Sequence, residues 1–122
     1  MEDTQKLYKK NPHAIINAPN EFVDFNLTLA GQKNIALHFK VTGAASKAKP
    51  HGYAGAIISY AIKEKPAVSV DELTKHSLSG RTPFSIAFTD EDRGKYVSVA
   101  MRWQNSKQET GPWSDIQSTI IP

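Results

Sequence analysis

Arg93-Gly-Lys-Tyr-Val-Ser-Val-Ala-Met-Arg-Trp-Gln-Asn-Ser-Lys-Gln-Glu-Thr-Gly-Pro-Trp-Ser-Asp-Ile-Gln-Ser-Thr-Ile-Ile-Pro122 is the stretch whose reading decides the fold. In an extended chain Val97, Val99, Met101 and Trp103 share one face, and Tyr96, Ser98, Ala100 and Arg102 share the other. Period-two alternation of this kind marks a strand with one buried side. The polar run that follows reads as a hairpin loop, and Gly111-Pro-Trp-Ser114 opens a last strand through Ile116 to Ile121. A long strand, a hairpin and a returning strand predict an antiparallel β-sandwich, with the upstream chain supplying the other strands.

That chain has the strands to supply. Val23, Phe25, Leu27 and Leu29 alternate with Asp24, Asn26 and Thr28, and after the turn residues Ala30–Asn34 the alternation resumes at Ile35, Leu37, Phe39 and Val41. Two such runs joined by a short glycine-containing loop predict a hairpin. Tyr53 to Ile62 forms a further strand with Ala56, Ile58, Tyr60 and Ile62 on one face, and Phe84, Ile86 and Phe88 give another behind Pro83. Pro12 and Pro19 bracket a short apolar segment, residues 13–18, suited to an edge strand. Ser69-Val-Asp-Glu72 fits a capping box, which predicts a short helix over Val70–His76 crossing between the sheets. The expected total is about seven antiparallel strands and one short helix, in a domain over residues 13–122 behind a polar tail at 1–12.

Composition bounds the rest. The 122 residues suit one domain able to bury about two-thirds of its unfolded surface. With no cysteine, disulfides and thiolate metal sites are excluded. The net charge is +3, but 15 basic and 12 acidic residues are interspersed, whereas a nucleic-acid binder concentrates its charge on one face. No apolar run reaches the ~20 residues of a membrane helix. Met1-Glu-Asp-Thr-Gln-Lys6 lacks the order of a signal peptide, which fits a cytoplasmic protein or one whose leader or upstream domain has been removed.

Arg102-Trp-Gln-Asn105, Gly111-Pro-Trp-Ser114 and Gln117-Ser-Thr-Ile-Ile-Pro122 resemble the end of the sixth strand, the following loop and the last strand of a fibronectin type III-like domain. The Gly-Pro-Trp-Ser phrase also resembles half of the tryptophan-serine motif of cytokine-receptor modules. Phe39 stands where the family's second strand carries a core tryptophan, and Val97, one residue from Tyr96, stands at its tyrosine-corner position. Lys47-Ala-Lys-Pro50, Tyr60-Ala-Ile62, Arg81-Thr-Pro-Phe84 and Arg93-Gly-Lys95 extend the likeness to a C-terminal module of uncharacterised bacterial proteins. The resemblance implies an immunoglobulin-like sandwich and assigns no activity.

Several residues are candidates for a site. By strand parity Arg102 points off the core face towards Trp113, which predicts a guanidinium–indole stack worth roughly 0.5–2 kcal/mol. Read functionally, Trp113 joins Tyr53 and Tyr96 in an aromatic platform for a carbohydrate. Trp103 shares the core face. His13, His38, His51 and His76 fall in separate elements and form no ligand motif. Asp90-Glu-Asp92 lacks the spacing of a calcium loop. The G-x-S-x-G, P-loop and dinucleotide fingerprints are absent, so no catalytic residue, cofactor or metal ligand is assigned. The resulting expectation is a non-catalytic interaction or spacer module with a protein or glycan partner. The alternatives are a carbohydrate-binding module and an enzyme with a dispersed site. Homodimerisation through an edge strand is a further expectation, and the Thr42–Tyr53 loop and Ser106–Gly111 tip are the places for local function.

Overall fold

The computed structural model describes residues 19–29, 31, 33–41 and 52–122. The expected tail at 1–12, the expected edge strand at 13–18 and Thr42–His51 lie outside the described residues. Seven antiparallel strands follow in order: β1 (Val23–Leu29), β2 (Asn34–Val41), β3 (Tyr53–Lys63), β4 (Lys75–Ser79), β5 (Phe84–Ala87), β6 (Tyr96–Asn105) and β7 (Gln117–Ile120). They form two sheets, β1-β2-β5 and β4-β3-β6-β7. The architecture is an all-β sandwich.

The alternation of the sequence is what fills the space between the sheets. Val23, Phe25, Ile35, Leu37, Phe39 and Ile86 from one sheet meet Ala56, Ile58, Val97, Val99, Met101 and Trp103 from the other. Val97, Val99, Met101 and Trp103 are all fully buried. The ring of Trp103 lies edge-on to Phe39, with centroids 6.0 Å apart. At ~25 cal/mol per Å² of apolar surface removed from water, this row is the main source of stability.

Two expectations need correction. The capping box is present: Ser69 Oγ accepts from the Asp71 N–H, and the Glu72 carboxylate accepts from the N–H of Val68 and Ser69. It caps a single 3₁₀ turn, Val70–Glu72, and not a helix running to His76. Lys75–Ser79 is instead strand β4, paired to β3 from Tyr60↔Lys75 to Ala56↔Ser79. The turn therefore joins neighbours within one sheet, and the crossover to the other sheet comes after β4. Polar Lys75-His-Ser-Leu-Ser79 hides its strand character because it is an edge strand, exposed at three of its five residues.

The outer face of β3 and β6 carries a second, smaller core. Ala61, Ala67, Leu73 and Ala100 are buried there, with Val70, Trp113 and Ile116 packed around them. Ser98 Oγ accepts from the Ala67 N–H at 2.9 Å and meets Ser118 Oγ at 2.8 Å, which pins the 64–74 segment over the sheet. Lys63 bonds to Glu72, and this contact is the leading cause holding the Glu72 carboxyl below its ordinary range.

Candidate functional site

The β6–β7 connection is built around Asn105, which is fully buried. Its Oδ1 accepts from the N–H of Lys107 and of Glu109, each at 2.9 Å, and its Nδ2 donates to Glu109 Oε1 at 2.8 Å. One side chain thereby replaces the backbone bonds that the turn leaves unmade, as asparagine does in loops of this kind. The result is a tip, Ser106–Glu109, whose four residues are exposed while its base is fixed. Gln108 takes φ 66 there.

Behind the tip the returning chain falls out of step with β6. Gln104 bridges Thr110, and regular pairing resumes at Val99↔Gln117, so seven residue steps on one side match five on the other. The surplus is taken up by Gly111-Pro-Trp-Ser114. Gly111 N–H donates to the Trp103 carbonyl at 2.9 Å, and Ser114 N–H donates to the Met101 carbonyl at 2.8 Å. Ser114 Oγ accepts from the Met101 N–H at 2.9 Å. Proline supplies no donor where none has a partner. Gly111 lets the chain pass close to Pro19: a Cβ there would sit 3.0 Å from Pro19 Cβ and 3.1 Å from the Pro19 carbonyl oxygen, a tight fit.

Trp113, displaced outward by this bulge, lies over Arg102, whose guanidinium carbon is 4.6 Å from the ring centroid. Arg102 Nε donates to the Gly111 carbonyl at 2.9 Å, so the cation is held under the ring by the bulge itself. Trp113 also packs against the outer-face core. Tyr53, Tyr96 and Trp113 lie apart. The Tyr53 ring sits against Trp103 in the main core, at 5.5 Å. Tyr96 opens β6 opposite Lys63, six residues from Arg102 and roughly 20 Å along the strand at ~3.3 Å per residue. The register shift between Tyr53 and Gly55 turns Tyr53 inward against the parity of β3, whereas Tyr96 shares the outward face of Arg102 and is separated from Trp113 by distance along β6.

Tyr53 has a second role. Its hydroxyl donates to Glu21, and burial with the neighbouring carboxylate pushes its pKa from 10.0 up to about 12. Trp103 Nε1 donates to the Phe22 carbonyl at 3.4 Å. Pro19, Glu21 and Phe22 thus tie the entry to β1 onto the end of the core. No simple sequence pattern marks that tie, because its partners lie more than thirty residues away.

Two further features went unread in the sequence. Ser59 Oγ lies 2.7 Å from His76 Nδ1 across the β3–β4 pair, but Ser59 is wholly buried, so its hydroxyl is closed to a substrate. Among the described residues no group of three or more His, Cys, Asp or Glu could hold a metal ion. The second feature is a groove of about 450 Å³ along the seam between β1 and the start of β7, lined by Phe22, Val23, Asp24, Phe25, Ser114, Asp115 and Gln117. Gln117 crosses it, its Nε2 donating to the Phe25 carbonyl at 2.7 Å. No helix among the described residues is long and apolar enough to cross a membrane. The chain matches no protein-family model, and no curated protein matches it.

Proposed function

We propose that the chain is a fibronectin type III-like module that works by contact, as a non-catalytic interaction or spacer domain. Seven antiparallel strands divided three and four are the sandwich architecture that such modules share. The observation that carries the reading is the Asn105 network. It spends a fully buried polar side chain on fixing a four-residue exposed tip, and loops held by a rigid scaffold are where such domains make contacts. The Arg102–Trp113 stack supports the same end of the molecule, and its ring has one face on a cation and its flank on the outer core.

The test sets this reading against its rivals. The chain is assayed with chromogenic ester, phosphate-monoester and glycoside substrates beside Ser59→Ala and His76→Ala. It is also screened for glycan binding beside Trp113→Ala. Contact function predicts no turnover that depends on Ser59 or His76, and no glycan binding that depends on Trp113. Turnover lost in either dyad variant would establish an enzyme, and glycan binding lost with Trp113 would establish a carbohydrate module.

A further inference from the structure

We infer that the chain forms a symmetric homodimer in which the β4 edges of two copies pair antiparallel about Ser77, joining their four-stranded sheets into one. Such a dimer goes beyond the contact function proposed above and does not depend on it. The direction of the backbone groups across the sheet places the free edge. Met101 and Trp103 turn theirs towards the β7 side, since the Met101 N–H and carbonyl bond to Ser114 and the Trp103 carbonyl accepts from Gly111. This direction alternates along a strand, so Ala100 and Arg102 turn towards β3, where they pair with Ser59 and Ile57. Ala56, Ile58 and Tyr60 therefore bond to β4, through Ser79, Ser77 and Lys75. His76 and Leu78 are left pointing their N–H and carbonyl groups away from the sheet. Among the described residues nothing in the chain bonds those groups.

An edge of this kind is a template for another strand, and its spacing fits itself. With a two-fold axis at Ser77, His76 of each copy lies opposite Leu78 of the other, and each such pair exchanges two N–H···O bonds. Every outward group of both strands then has a partner. Lys75 faces Ser79 of the second copy, so no like charges stand directly opposite. His76 and Leu78 also share the outer face of the sheet with Ser59 and Ile57. Leu78 is 50% exposed there, and the axis sets the two copies of it on a diagonal, within reach of each other. Ser59 Oγ, 2.7 Å from His76 Nδ1, holds the imidazole beside the incoming leucine. The other edges offer less: Gln117 bridges β7 to the Phe25 carbonyl of β1, and β5 shows solvent the short side chains of Ser85 and Ala87. One strand pair falls below the ~1,200 Å² of a standard interface, so the dimer is a weak one.

Sedimentation equilibrium of the full chain from about 1 µM to about 1 mM tests this. The wild type should pass from monomer to dimer as concentration rises, and Leu78→Lys should move the midpoint upward roughly tenfold or more. The chain has no cysteine, so Ser77→Cys places a single thiol at the axis. Ser77 and its copy form a non-hydrogen-bonded pair, with Cα atoms about 4.5 Å apart, a separation that a disulfide spans. On oxidation Ser77→Cys should give a covalent dimer, and Lys107→Cys at the hairpin tip should give far less under the same conditions. A monomer at every concentration, as when another protein's strand covers β4, would overturn the inference. So would a dimer indifferent to Leu78→Lys, or a Ser77→Cys chain that cross-links no faster than Lys107→Cys. Circular dichroism checks that the variants remain folded. Failure here leaves the contact function standing, because that reading is decided by the turnover and glycan assays.

Discussion

Gln117 Nε2 and the Phe25 carbonyl oxygen, 2.7 Å apart, form a hydrogen bond between the two sheets at their open seam. Phe25 faces Phe39 across the β1–β2 pair, and the Phe39 N–H donates outward to Thr82 Oγ1. Phe25 therefore turns its own backbone groups away from β2, towards the seam. Left bare, that carbonyl is an unpaired edge acceptor. Gln117→Ala should cost about 1 kcal/mol in urea unfolding. Gln117→Glu should cost at least as much at neutral pH, because it sets a carboxylate against a carbonyl. A stability unchanged in both variants would remove the bond from the account.

The Arg102–Trp113 pair makes a separable claim. A double-mutant cycle of Arg102→Ala and Trp113→Ala should return a coupling of roughly 0.5–2 kcal/mol. Each single variant should lose more than the coupling. Arg102 also donates to the Gly111 carbonyl, and Trp113 also covers the outer core. Zero coupling would reduce the stack to proximity.

Asn105 should be the most sensitive polar position at this end. Asn105→Ala removes the acceptor for two backbone N–H groups and the donor to Glu109. Stripping partners from groups around a buried site should cost about 2 kcal/mol. Hydrogen exchange at the Lys107 and Glu109 amides should quicken selectively, while β3 amides keep their protection relative to global stability.

Tyr53 gives a pH signature. Folded, it holds its proton up to about 12, against an ordinary 10.0, so the proton binds more tightly in the native state. The stabilisation it contributes is complete below pH 10 and is lost as the pH rises towards 12. Stability should fall across that window in the wild type and fall less in Tyr53→Phe. Ultraviolet titration of Glu21→Gln should bring one tyrosine back towards 10, because the neighbouring carboxylate is part of the cause.

How far the sequence reveals the molecule depends on whether the signal is local. Val97, Val99, Met101 and Trp103 alternate without interruption, so their strand and its buried face are legible directly. Ser69 and Glu72 announce a cap, but a cap fixes only where a turn starts, and Leu73 already returns to extended backbone. β4 is hidden because its pairing to β3 is the whole reason it is extended. Small residues Ala61, Ser98 and Ala100 on the outward parity are a usable sign that something packs there closely. The groove has no local signature, since residues 22–25 and 114–117 come together only after the two sheets close.

The most direct test of the contact function is the substrate and glycan screen beside Ser59→Ala, His76→Ala and Trp113→Ala. The expected result is no turnover that depends on Ser59 or His76 and no glycan binding that depends on Trp113. Turnover lost in either dyad variant, or glycan binding lost with Trp113, would contradict it.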